Sequence, residues 1–242
     1  MIIHSKIDKG IVRNSNQDAF IAGQLAENIT FAIVCDGMGG ANAGNIASEI
    51  AVKTVSEYLY NSFRDNMTLN DFERTLKNAI SSANLLIFNR AIKDEALKGM
   101  GTTIVAAIVK DNDAIIAHVG DSRIYLLNDE IKQLTKDHSI VQTLIENGEI
   151  SPDDAKHHPR KNVITRALGV EAEVVADFDE LTLNTNDTLL LCTDGLTNYV
   201  PEANIYEIFK QNDLSLVSET LVSKANENGG GDNISVATLT AE

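Results

Sequence analysis

The sequence predicts an α+β fold: a four-layer αββα sandwich of two antiparallel sheets, each covered on its outer face by a helix pair. Three observations predict it. Apolar, β-branched runs of strand length come in groups separated by Gly, Asn and Asp turn signals. Between the groups lie two successive stretches of helical period, and this arrangement occurs twice. The resulting order is strands, two helices, strands, a polar insertion, strands, two helices and a last strand. Helices with one apolar face bury it on a sheet, and two such covered sheets close on each other. No internal repeat, low-complexity tract or linker divides the chain, so residues 1–242 read as one domain.

Residues 2–7 and 19–24 read as strands, joined by the loop GIVRNSNQD that carries Arg13, Asn16 and Asp18. A loop with one Arg and one Asp is ordinarily just solvated. The stretch FAIVCDGMGGANAG follows, with a strand over 29–36 that ends abruptly in Asp36-Gly37 and then glycines at 39, 40 and 44. An ionised carboxylate at the mouth of an apolar strand is costly to bury unless paired or bound to a cation. The glycines mean that backbone must approach something closely.

Residues 43–63 set Ala43, Ala47, Ile50, Ala51, Val55, Tyr58 and Leu59 on one helical stripe. Residues 69–97 repeat the pattern with Phe72, Leu76, Ala79, Ile80, Ala83, Leu86 and Ile87, and Asn70-Asp71 with Glu73 offers the N-terminal cap. Strands return at 102–109, 114–119, 123–127 and 131–134, with Asn112-Asp113 and Asn128-Asp129 as the tight turns of an antiparallel meander. Asp121, after IIAHVG, is the second acid at a strand end.

Segment 137–169 is less regular. After a short helix over 140–147 it holds two of the three prolines and three of the five histidines, and it reads as a polar flap beside a site. Adjacent imidazoles at His157 and His158 point in different directions, which argues against a zinc pair there. Strands at 174–183 and 187–192 follow, the second delivering Asp194 in DTLLLCTDGL. Helices at 201–210 and 214–227 lead to GGGDNISVATLT, where Asp232 opens the last strand. Cys35 and Cys192 lie inside apolar strands without CxxC spacing and read as small core residues rather than a disulfide.

The charge balance is 20 Lys+Arg against 35 Asp+Glu, a net −15. That excludes nucleic acid or an anionic membrane as the main partner, since both call for positive surface. Part of the excess suits carboxylates gathered around divalent cations; the rest keeps a surface solvated. The N-terminal MIIHSKIDKG lacks a signal-peptide core and no run has the length of a membrane span, so the expectation is a cytoplasmic protein.

Asp36, Asp121, Asp194 and Asp232 all sit at strand ends, each beside a Gly, with no accompanying cluster of His or Cys. Hard oxygen ligands of this kind select Mg²⁺ or Mn²⁺. Acids converging on one rim repel one another, and two cations resolve that repulsion. Such a pair can activate a shared hydroxide for in-line attack on a phosphoryl group. An Arg forking onto two phosphate oxygens would complete the site, and Arg13 is the candidate.

At these residues the chain resembles bacterial members of the type 2C, metal-dependent Ser/Thr protein phosphatases, the PPM family. The likeness runs nearly end to end, through RNSNQD (13–18), DGMGG (36–40), GMGTT (99–103), HVGDSR (118–123), the flap region 137–169, TDGL (193–196) and GDN (231–233). The resemblance implies that Asp36 bridges two metals, with the Gly37 carbonyl on the second, while Asp194 and Asp232 hold the first. It implies a third, weaker ion at Asp121 with Asp194. Arg13 takes the role of the substrate-phosphate Arg, Asp18 orders metal-bound water and Asn233 supports the Asp232 loop.

Two positions depart. Gln17 stands where some relatives carry Glu, and Ala41 follows DGMGG where many bacterial members have His. The implied function is hydrolysis of phosphoserine and phosphothreonine in proteins, opposing a cognate bacterial Ser/Thr kinase, by a monomer holding Mn²⁺ or Mg²⁺. A catalytically dead phosphoprotein binder is disfavoured by the intact acid set, and a two-metal nuclease by the negative charge.

Overall fold

Alternation along residues 29–38 shows how the layers are built. Phe31, Ile33 and Cys35 join one buried apolar cluster, while Ala32 and Val34 join another. The computed structural model describes residues 1–40 and 43–242, so Ala41 lies outside the described residues. Among the described residues, two sheets close on the second cluster. One sheet runs, in spatial order, β1 (Ile2–Asp8), β11 (Ile234–Thr240), β10 (Thr188–Cys192), β7 (Arg123–Leu127) and β8 (Ile131–Gln133). The other runs β2 (Asp18–Ala26), β3 (Ile29–Met38), β5 (Ile104–Lys110), β6 (Asp113–Val119) and β9 (Asp177–Thr182), with the short β4 (Gly101–Thr102) paired to the end of β3. Every pairing is antiparallel.

Helices α1 (Gly44–Ser62) and α2 (Leu69–Lys93) pack on the β2–β9 sheet, burying Val55, Leu59, Phe72 and Leu76 against Phe31 and Ile33. Helices α6 (Glu202–Gln211) and α7 (Leu214–Glu227) cover the other sheet over Leu190, Cys192 and Val236. The fold is therefore the four-layer sandwich that the order of elements predicts. Both cysteines are buried and free.

The differences from the sequence reading are local, and each has a cause. The cap of α2 is Thr68, not Asn70-Asp71: its hydroxyl oxygen accepts from Asp71 N–H and the Asp71 carboxylate accepts from Thr68 N–H, a reciprocal capping box. The same helix stops at Lys93, because the Asp94 side chain turns back to accept from Ala96 N–H and starts a separate short turn over Glu95–Leu97. Leu86 faces solvent rather than the core. The β5–β6 turn falls on Asp111 and Asn112, with Asp111 at φ 54°, while Asp113 pairs with Lys110 inside the ladder.

The expected meander is interrupted: β6 and β7 belong to different sheets, and the chain crosses between them through Gly120, Asp121 and Ser122. Flap segment 137–169 contains α3 (Ile140–Glu146) and a second short helix, α4 (Pro152–Lys156), capped by Ser151. Strand β9 begins at Asp177 rather than 174, and the last strand at Ile234 rather than Asp232, which leaves Asp232 in the turn before it.

Candidate active site

At one end of the sandwich the inter-sheet core gives way to polar side chains, and the two-residue period of each strand says which. Ala32 and Val34 lead to Asp36, Ala107 and Val105 to Thr103, and Ile124 to Ser122. Leu189 and Leu191 lead to Thr193, Leu239 and Ala237 to Ser235, and Phe20 to Asp18. The polar residues thus stand where the two sheets splay, and they meet. Thr193 and Ser235 both donate a hydroxyl to Asp18 Oδ2, at 2.9 and 2.8 Å. Thr103 Oγ1 accepts from Asp36 N–H at 3.0 Å and lies 2.7 Å from Ser122 Oγ. Thr103, Ser122, Thr193 and Ser235 were not among the sequence candidates, although this alternation could have found them.

Above this floor lies a cleft of about 250 Å³ lined by Asp36, Gly37, Asp121, Asp194 and Asp232, by Arg13, Gln17 and Asn233, and by Asn162 and Ile164 of the flap segment. All four strand-end acids named from the sequence line it. Asp194 is the first residue of a one-turn helix, α5 (Asp194–Thr197), and Asn198 donates to its Oδ2 at 2.9 Å. Arg13 NH2 donates to Asp232 Oδ2 at 2.9 Å. Asn233 ties the Arg13 loop to the Asp232 turn, accepting from Gln17 N–H and donating to the carbonyls of Lys9 and Ser15.

Of the glycines that follow Asp36, Gly44 approaches the Gly37 backbone closely whereas Gly40 has open space around it, and beside the acids Gly37 and Gly195 meet backbone of the chain itself. A Cβ on Gly37 would stand 2.1 Å from the Gly44 carbonyl, and one on Gly195 would stand 1.8 Å from the Asn233 carbonyl. These residues let acid-bearing turns touch.

The electrostatic state of the cleft is strongly one-sided. Burial, then the charges of Asp18, Asp194, Asp121 and Asp232, push the Asp36 carboxyl well above its ordinary range. Burial and the charges of Asp194 and Asp137 carry Asp121 to about 8, even with Arg123 nearby. Burial carries Asp18 to about 7 against the opposing pull of its two hydroxyl donors. Asp194 is raised by burial and by Asp232. Asp18 Oδ1 and Asp194 Oδ1 are buried without a hydrogen-bond partner.

Buried carboxylates that keep unpartnered oxygens, crowded until they resist ionising, form an all-oxygen donor set with charge to spare. Such a set fits hard divalent cations. An acid-rimmed pocket of this chemistry with an arginine at its lip is the equipment of a metal-dependent phosphoester hydrolase.

Comparison with known proteins gives the family. The model of the protein phosphatase 2C family matches residues 5–225. The serine/threonine phosphatase stp of Listeria innocua is 46% identical over 233 residues, covering 96% of this chain and 92% of that protein. The protein phosphatase PhpP of Streptococcus pneumoniae is 41% identical, covering 95% and 93%. Among solved structures, the serine/threonine phosphatase of S. agalactiae superposes with a TM-score of 0.93 at 35% identity, over 100% of this chain and 99% of that one. The catalytic domain of the phosphatase PstP, solved with two manganese ions, gives 0.85 at 32% identity over 98% and 96%. The chain belongs to the protein phosphatase 2C family, the metal-dependent Ser/Thr protein phosphatases. It is a phosphoprotein phosphatase.

Proposed function

We propose that dephosphorylation takes place in the acid-rimmed cleft, where Asp36 would be the central acid holding two Mn²⁺ or Mg²⁺ ions. Asp194, Asp232 and the Gly37 carbonyl would hold these ions with it, and Asp121 with Asp194 would take a third, weaker one. When bound, the ions neutralise the acids and supply an activated water to the phosphorus. The observation that carries this reading is the convergence of Asp36, Asp121, Asp194 and Asp232 on one cleft, where burial and the neighbouring charges make ionisation of Asp36, Asp121 and Asp194 costly without a cation.

The chain's own residues do the rest. Arg13, about half exposed at the lip, exchanges its contact with Asp232 for two oxygens of the substrate phosphate. Asp18, fixed by the Thr193 and Ser235 hydroxyls, accepts a hydrogen bond from water within the site. Asn233 keeps the Arg13 loop and the Asp232 turn in register. No helix of the described residues is long and apolar enough to cross a membrane. The reading is of a cytoplasmic monomer working against a Ser/Thr kinase on shared substrates.

The test is release of phosphate from a phosphothreonine peptide and from an aryl phosphate, with Mn²⁺ and with EDTA. Both substrates should be turned over with Mn²⁺ and neither with EDTA. Turnover undiminished by EDTA would refute the reading.

A further inference from the structure

Behind the Asp121 turn, His118, His138 and Asp177 bring nitrogen and oxygen atoms within 4.8 Å of one another, the two imidazoles stacked 4.6 Å apart. The arrangement invites a metal, and its hydrogen bonds argue against one. Gly120 N–H donates to His138 Nδ1 at 3.0 Å, so Nδ1 is the bare nitrogen and Nε2 carries the proton, 3.2 Å from Asp177 Oδ2. A ligating imidazole must offer a free bare nitrogen to the ion, whereas here the bare Nδ1 is already taken by Gly120 N–H and Nε2 carries its proton. His118 is likewise engaged, Nε2 donating to the Lys136 carbonyl at 2.8 Å.

These bonds hold two segments. His138 N–H donates to the Gly120 carbonyl at 2.9 Å, so ring and backbone together grip Gly120 on both sides, one residue before Asp121. The His138 carbonyl in turn accepts from Thr165 N–H at 2.8 Å, and Ser139 bridges to the cleft-lining Ile164. Asp177, which receives the Nε2 proton, also receives Arg166 NH1 at 2.7 Å.

We infer that His138 is a positioning residue that locks the Asp121 turn and the returning arm of the flap segment, residues 162–166, into one unit. The acid and the side of the cleft that faces substrate are then set together. This rests on the reading of Asp121 as a cation-binding acid.

Two near-isosteric variants separate the contact from simple packing. His138→Asn keeps an acceptor on Cγ for Gly120 N–H, whereas His138→Leu fills the space without one. In His138→Leu, amide exchange at Gly120 should quicken by about tenfold in metal-free protein, and the Mn²⁺ concentration that half-fills the weakest sites, by calorimetry, should rise by about tenfold. His138→Asn should stay within about threefold of wild type on both readouts. Equal changes in the two variants, or none in either, would overturn the proposal. In wild-type protein, Mn²⁺ should raise amide protection at Gly120 and Thr165 together, and protection at Gly120 alone would overturn it without recourse to variants. Exchange in metal-free protein needs no turnover, so its failure is distinct from a wild-type chain that fails to hydrolyse phosphoesters.

Discussion

Asp18 and Asp36 stand directly opposite each other across the β2–β3 ladder, and both point between the sheets. Like charges at facing positions of a ladder repel. Neither carboxylate is compensated by a cationic side chain in that layer; what faces Asp18 is two hydroxyls. The metal-free fold therefore carries a built-in cost that rises as these groups ionise.

That cost fixes the sign of a pH effect. Asp18 is raised to about 7 and Asp121 to about 8 from an ordinary 3.8, so between about pH 4 and 8 the folded metal-free chain binds more protons than the unfolded one. Stability then falls as pH rises through that window, the raised acids outweighing His138, which burial holds below its ordinary range and which pulls the other way. The exposed acids held low, such as Asp71 and Asp154, titrate beneath it. Thermal melts of EDTA-treated protein should give a lower Tm at pH 8 than at pH 5, with Mn²⁺ restoring it at pH 8. A Tm that climbs with pH in EDTA would contradict the assignment.

Thr103→Val tests the floor of the site. The change keeps the volume but leaves the buried Asp36 N–H and the Ser122 hydroxyl without their partner. Each unsatisfied group costs about 1–3 kcal/mol, so for the two together denaturant unfolding should register a loss of about 2–6 kcal/mol. Thr103→Ser should recover most of it. A valine variant as stable as wild type would show that the hydroxyl is dispensable.

Arg13→Ala should act on substrate rather than on the fold. Its ion pair with Asp232 is half exposed, and such pairs contribute little to stability. A charge-assisted contact to phosphate is worth about 2–3 kcal/mol, expected to appear in kcat/KM on phosphopeptide. Mn²⁺ affinity by calorimetry should hardly move. Loss of metal binding would instead make Arg13 a structural partner of Asp232.

The layers were legible because burial writes period two into strands and period 3.6 into helices, and the four acids were legible because each interrupts an apolar strand end. Less legible was anything decided by which of several possible partners a residue takes, near or far. The Asp111 turn position depended on pairing between Lys110 and Asp113, and the Thr68 cap on a side chain reaching three residues ahead. The crossing of the chain between sheets at Asp121 could not be told from a hairpin, since a short Gly-containing turn serves either. The hydroxyl floor was written in the alternation, yet Thr and Ser in strands are too common to stand out until the sheets are superposed.

The central claim is that Asp36 assembles the cations on which turnover depends. Calorimetric titration of Mn²⁺ into wild-type and Asp36→Asn protein, with phosphopeptide turnover measured on the same samples at saturating Mn²⁺, tests it most directly. The account expects at least two ions on wild type, weakened binding in the variant, an intact melt, and turnover reduced by far more than about tenfold. Unchanged metal binding with turnover within about tenfold of wild type would contradict it.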